Sequence, residues 1–482
     1  MIRRAVGLSA ANKYTQFMLA LVSNMAVARL LTPGEVGIYA IAAVLAGIAQ
    51  LFRDMGIGQY LIREPVLEHG QLRTAFTLMA LISWMLGLSL FLLAGPVAAF
   101  YAEPDLTSVL RIQSCAFVII PFGAISLTLL KREFRFGATY AINSAAHIVQ
   151  LIVTISLAAT GWGAQSLAFG SVAGILITAV GAVGARRRQF MFLPSLAGAK
   201  RIFRFGATVT GAEVLVALNR DLPELIIGKF MGTPALAFFS KALLPSTMFS
   251  RFVMGALNPV MLPALSQKHR ENGAAGPMLH ATACLTAISL PSLILVAFLA
   301  DSVVMILFGD QWAPAVEPLR ILALATALAS MTSFVSPLMV AMGHPRALLE
   351  IQAIVVPFRI TLVSAAVTHS LELVAVGWLV SNMLSCWLMF RKAKQVVGLH
   401  ARCIWGAVRT TVTIGGPLAV AIGFGIQAMP VPAGVWAAII TTISAFALLG
   451  LIWTAVLISL RHPMAVELGR AVPALGRMRR RV

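Results

Sequence analysis

Five basic side chains sit inside long apolar runs: Arg53, Arg220, Lys241, Arg251 and Arg359. A charge at membrane depth costs several kcal/mol, so each should face protein or a water-filled path rather than lipid. A guanidinium fork can hold two phosphate oxygens at once, whereas a lysine offers a compact point charge. The chemistry these residue types suggest is anion binding inside an apolar segment.

Their settings differ. Gln50, Arg53 and Asp54 are spaced i, i+3, i+4 and share one helix face. That face either lines a cavity, or Asp54 neutralises Arg53. Arg251 has no acidic neighbour on its own helix and shares a face with Asn258. Arg359 shares a face with Gln352, and Lys241 lies near the outer end of its run. Arg111, Arg320 and Arg409 lie where snorkelling reaches an interface, and Arg320 is placed to pair with Glu317 at i, i+3.

Carboxylates and amides add a second layer. Glu213, Arg220 and Glu224 recur at i, i+7, i+11, with Asp221 beside them and Pro223 available to kink the helix. Arg220 either faces the path or pairs with Glu224. Glu213 has no opposite charge within a turn, which suits proton or sodium coupling; Asp54 is a second candidate. Asn143, His147, Gln150 and Thr154 form one uncharged polar stripe. Such a stripe is either glue between helices or a surface for sugar hydroxyls. A metal role for His147 is disfavoured.

The elements that must carry these residues follow from composition. The 482 residues are 59% hydrophobic and 11% charged, with a mean hydropathy of +0.90. Soluble chains carry about 25% charged residues, so an all-α polytopic membrane protein is expected. Fourteen spans of about 20 residues fit the pattern, among them Val36–Ile62, Gly137–Thr160, Phe205–Phe230 and Leu236–Leu265. The net charge of +20 resides in short clusters between spans. That is the signature of loops facing anionic lipid, not of a nucleic-acid partner. It places both termini in the cytoplasm and requires an even number of spans. Met1 to Lys13 leads into a retained first helix. The 4 cysteines have no metal-ligand spacing, and the chain has no phosphate-binding Gly-x-x-x-x-Gly-Lys motif. No cofactor is expected.

The chain also repeats itself. Arg53-Asp54-Met55-Gly56 with Gln59 echoes Arg251 and Met254-Gly255 with Asn258. Leu110-Arg111-Ile112 echoes Leu319-Arg320-Ile321, and Leu167-Ala168-Phe169-Gly170 echoes Val374-Ala375-Val376-Gly377. The expected organisation is a six-helix lobe over 1–190, a second over 191–400, and an accessory helix pair with a basic tail over 401–482. Six spans per copy is an even number, so the lobes should be related by an axis along the membrane normal. The uncharged stretch from Thr410 to Leu460 is either a lipid-facing pair or a groove for a lipid tail.

Leu30-Leu31-Thr32-Pro33-Gly34-Glu35-Val36-Gly37-Ile38-Tyr39 resembles the first-loop signature of the polysaccharide-specific, Wzx-like branch of the MOP flippase superfamily. Asp54-Met55-Gly56-Ile57-Gly58 resembles that family's end of helix two. Phe308-Gly309-Asp310-Gln311-Trp312, followed by Leu319-Arg320-Ile321, resembles its loop after helix nine. The resemblance implies two six-helix lobes, a cationic central cavity and alternating access. It implies a flippase for undecaprenyl-diphosphate-linked oligosaccharide in the cytoplasmic membrane, working among membrane lipids beside a polymerase and chain-length machinery. It also carries over Arg53 and Arg251 as cavity arginines on helices two and eight. The alternatives are a multidrug–cation antiporter of the same superfamily, for which a net acidic cavity would be expected, and a membrane-embedded polymerase or ligase, which would need a large outer loop.

Overall fold

The computed structural model describes residues 2–64, 67–186, 194–248, 275–342, 344–398, 401–428 and 434–465, with backbone alone for 2–13, 201, 204–209, 212–213, 215–216, 275, 341, 345, 397 and 401. Regular structure among the described residues is helical throughout. Apolar runs of this length in lipid satisfy their backbone only as helices or closed barrels. Eleven segments are long and apolar enough to cross a membrane. Two more helices are long enough but more polar. The fourteenth expected span runs into residues 249–274, outside those described.

Contacts divide the chain into two units, Met1–Ala237 and Phe238–Val482. The first holds α1 (Ile2–Leu30), α2 (Pro33–Asp54), α3 (Ile57–Arg63), α4 (His69–Tyr101), α5 (Asp105–Arg132), α6 (Phe136–Ala159), α7 (Ala164–Gly184) and α8 (Ala199–Phe230). The helix α9, described over 233–248, crosses into the second unit. There follow α10 (Ala275–Phe298), α11 (Ala300–Leu307), α12 (Val316–Ser330), α13 (Val335–Ala341), α14 (Pro345–Ala366), α15 (Leu371–Val397), α16 (Ala401–Thr410), α17 (Gly416–Gln427) and α18 (Val435–Ser459). α8 therefore keeps its contacts with the first unit.

The start of α2 is written in Thr32-Pro33-Gly34-Glu35. Thr32 accepts from the Glu35 backbone N–H, and the Glu35 carboxylate accepts from the Thr32 backbone N–H at 2.7 Å. Pro33 opens the helix, where its missing N–H costs nothing. One turn on, a Cβ at Gly37 would lie 1.9 Å from the carbonyl oxygen of Thr233. Only hydrogen fits there. The family-like signature is thus a helix start fused to a close backbone crossing.

The expected single span Val36–Ile62 is two helices. Met55 and Gly56 both take left-handed conformations, with φ 33° and 59°, and this stops α2 after Asp54. The last carbonyls of α3 are met by Arg132, which donates to the carbonyls of Leu61 and, at 2.6 Å, of Glu64. The apolar stretch from Pro318 to Ala341 is likewise interrupted between α12 and α13, and α16 joins α17 through a π-turn at Thr411–Gly415.

Small residues set how closely helices pack, as is usual in lipid. A Cβ on Gly123 of α5 would lie 2.6 Å from Ala179 Cα of α7, and one on Gly170 of α7 would lie 1.9 Å from Thr154 Oγ1 of α6. In the second unit α10 is the hub. Its Ala287 and Leu295, with Leu299 just beyond its end, pack with Ala419, Ile422, Leu449, Trp453 and Leu457 of α17 and α18. Trp453 donates to the Ala287 carbonyl at 2.7 Å. The opposite face of α18 exposes Trp436, Ile440, Ile443 and Leu451.

Candidate functional site

The four described cation candidates fall into three settings. In the first unit, Arg53 lies in the last turn of α2 and is buried, with 7% of its surface exposed. Its Nε and Nη2 donate to Asp54 Oδ1 at 2.9 and 2.5 Å. Neighbouring residues in mid-helix point apart. The long arginine side chain bridges that divergence by reaching across to its neighbour. The buried cation at a helix C-terminus also suits the helix dipole.

Arg220 on α8 repeats the device. It grips Asp221, with Nη2 2.8 Å from Oδ2, where the sequence suggested Glu224 as partner. The carboxylate one residue away is reached by the guanidinium as a fork, and it is Asp221 that is buried. The Arg220 side chain is 62% exposed, so it is the most open of the described candidate cations. The backbone of Glu213 lies in α8 but its side chain is not described, and Arg251 and Asn258 lie outside the described residues.

In the second unit Lys241 is buried under an aromatic roof. Its Nζ lies 5.1 Å from the Phe308 ring centre and 5.4 Å from that of Trp312. Both rings are fully buried. The Phe308-Gly309-Asp310-Gln311-Trp312 segment therefore has a concrete job: Gly309, at φ 96°, turns the chain so that both rings reach one ammonium. Cation–π contact in a dry setting contributes about 2 kcal/mol.

Arg359 is buried as well, with 6% exposed. Its Nε donates to Ser381 Oγ at 2.8 Å and its Nη2 to Asn382 Oδ1 at 2.7 Å. The guanidinium lies 4.3 Å from the Trp378 ring centre. Asn382 in turn donates to the Ala325 carbonyl at 3.2 Å. One arginine on α14 thus ties α15 and α12 together. The Ser381-Asn382 pair, polar in an apolar span, is the sequence signal for it.

The polar stripe on α6 is divided. Thr154 is buried and faces Gly170, and Gln150 backs onto Gly174, 3.3 Å from where a Cβ would stand. That end serves the α6–α7 contact. His147 and Asn143, one and two turns before Gln150, are half-buried. Among the discounted cations, Arg320 binds Glu317 at 2.7 Å as its spacing suggested, and also Asp301 at 2.5 Å. Arg111 lies over Phe91, 5.1 Å from its ring centre. Among the described residues no His, Cys, Asp and Glu cluster could hold a metal.

The chain as a whole is similar to known proteins. The succinoglycan biosynthesis transport protein ExoT of Rhizobium meliloti (strain 1021) is 25% identical over 344 residues, covering 71% of this chain and 70% of that protein. The teichuronic acid biosynthesis protein TuaB of Bacillus subtilis (strain 168) is 24% identical over 394 residues, 79% of each chain. The solved structure of the lipid II flippase MurJ in an inward closed conformation superposes with a TM-score of 0.75 at 14% identity, over 94% of this chain and 99% of that one. The chain therefore shares the fold of that structure. Residues 26–317 match the family described as polysaccharide biosynthesis protein, and with more than half its length matched, the chain belongs to that family.

Proposed function

We propose that this protein is a flippase, not an enzyme, and that it moves an oligosaccharide linked to undecaprenyl diphosphate from the cytoplasmic to the outer leaflet. The observation that carries this reading is membership of the polysaccharide biosynthesis family, joined to guanidinium groups held inside an apolar bundle. A diphosphate and a sugar chain must cross about 30 Å of hydrocarbon. Cations that bind phosphate without trapping it lower that barrier, in a cationic cavity worked by alternating access.

In this reading Arg53, Arg220 and Arg251 meet the diphosphate, and Asn143, His147 and Gln150 are candidate sugar contacts. Lys241 and Arg359 hold the second unit's own helices in register. Glu213 and Asp54 are candidates for ion coupling. The protein lies in the cytoplasmic membrane with both termini inside, as the loop arginines and lysines support, and it acts beside a polymerase and chain-length machinery. Organisation as lobes 1–190 and 191–400 with an accessory pair over 401–482 belongs to the same proposal.

The test uses proteoliposomes containing a fluorescent undecaprenyl-diphosphate oligosaccharide. The expected result is faster exposure of label to a membrane-impermeant quencher than in protein-free vesicles. Equal rates overturn the proposal. Extrusion of a cationic dye by the same vesicles, without lipid movement, would favour the multidrug antiporter.

A further inference from the structure

Two short motifs flank the link between α15 and α16, and one is the other reversed in spacing. Trp387, Arg391 and Lys394 run i, i+4, i+7 at the end of α15. Arg402, Trp405 and Arg409 run i, i+3, i+7 along α16. Such spacings put each trio on one helical stripe.

All six side chains are exposed, Trp387 by 55% and Trp405 by 52%. The reverse faces are buried together. Ala393 of α15 and Ile404 of α16 sit in one core with Met278 and Leu285 of α10. The two stripes are therefore the outward sides of one packed corner. Within it the Arg391 guanidinium lies 5.5 Å from the Trp387 ring centre.

The corner lies at a membrane surface. The span Leu371–Val396 ends there and the next, Arg402–Gln427, begins a few residues later. Its charge meets little opposition in sequence: residues 373–466 contain no Asp or Glu. Glu350 of α14 is engaged by Lys392, which belongs to neither stripe. Tryptophans seat at the headgroup level and flanking cations attract anionic lipid. A solvated basic loop would need no tryptophan in each trio and no apolar reverse face.

We infer that this corner is a binding surface for anionic phospholipid headgroups, phosphatidylglycerol or cardiolipin, on the leaflet that faces it. The four cations grip the headgroup phosphates while Trp387 and Trp405 enter the interface beside the acyl chains. Binding there would fix the depth of α15 and α16 in the bilayer.

The test is native mass spectrometry of the full-length protein with equimolar phosphatidylglycerol and phosphatidylethanolamine. Expected is a preference of about tenfold for phosphatidylglycerol, from roughly 1 kcal/mol per basic residue attenuated in detergent. The double variants Arg391→Gln/Lys394→Gln and Arg402→Gln/Arg409→Gln should each lower that preference about threefold. Arg111→Gln should leave it unchanged. The inference is overturned if the wild-type protein retains both lipids equally, or if both double variants keep its preference. The wild-type arm decides even where a variant fails to fold.

Discussion

Arg53 holds the carboxylate of Asp54, its neighbour in the chain, with Nη2 2.5 Å from Oδ1. The pair is lopsided: the arginine side chain is 8% exposed and the aspartate side chain 54%. Removing the aspartate strands a buried cation, whereas removing the arginine leaves a carboxylate with access to solvent. Asp54→Asn should therefore cost about 2 kcal/mol, less than the roughly 3–5 kcal/mol of a fully buried pair. Its membrane abundance should fall several-fold. Arg53→Gln should accumulate normally yet lose export. Immunoblotting and glycan export in the same cells check both, and equal loss of abundance in the two variants would refute the asymmetry.

Arg359 predicts a different pattern. Its fork satisfies Ser381 and Asn382 at once, and lysine cannot reproduce that geometry. Arg359→Lys should lower the thermal midpoint of the purified protein, and Arg359→Ala should lower it further, by about 3 kcal/mol in stability. Trp378→Leu should give a smaller loss of about 1–2 kcal/mol. A scanning melt in detergent measures the order, and an unchanged midpoint in Arg359→Ala would rule out the tie.

The roof over Lys241 gives a third expectation. Trp312→Ala opens a cavity beside the ammonium and should cost about 3–5 kcal/mol. Lys241→Met keeps the volume and removes the charge, so it should be tolerated to within about 1.5 kcal/mol. Thermal melts of the two purified variants compare them. Matching losses from both substitutions would mean that the ammonium, not the packing, dominates the site.

Two glycines in one signature should behave in opposite ways. A Cβ on Gly34 would meet nothing within 4 Å, while one on Gly37 would lie 1.9 Å from the Thr233 carbonyl oxygen. Gly34→Ala should be neutral or stabilise α2 by a few tenths of a kcal/mol. Gly37→Ala should abolish accumulation, because backbone must move. Paired expression measurements settle it, and a well-expressed Gly37→Ala would disprove the crossing.

Much of this is legible in the residues. Composition alone points to the membrane class, and the spacing of Arg320 and Glu317 points to their ion pair. Asp54 is one of two readings that the residues leave open for Arg53. Arg220 departs from its spacing because i, i+4 pairing presumes both side chains lie along the helix, while its fork turns to the adjacent Asp221. The partners of Arg359 and Lys241 come from other helices, at positions no local period reveals. Met55-Gly56 reads as span because its apolar flanks hide a break that depends on two dihedral angles rather than on hydropathy.

That break has a genetic consequence. Met55 and Gly56 are consecutive left-handed residues, at φ 33° and 59°. The first is open to unbranched side chains at modest strain, whereas a β-branched residue there is a severe outlier. In a saturating substitution library selected for export, codon 55 should accept Leu, Asn or Gln and reject Val, Ile and Thr. Codon 56 should admit glycine and, weakly, asparagine. A deletion of either codon would rotate Ile57 to Arg63 about the helix axis and aim the Tyr60 and Leu61 core face at lipid. This stretch should be less forgiving of a lost codon than any loop in the chain.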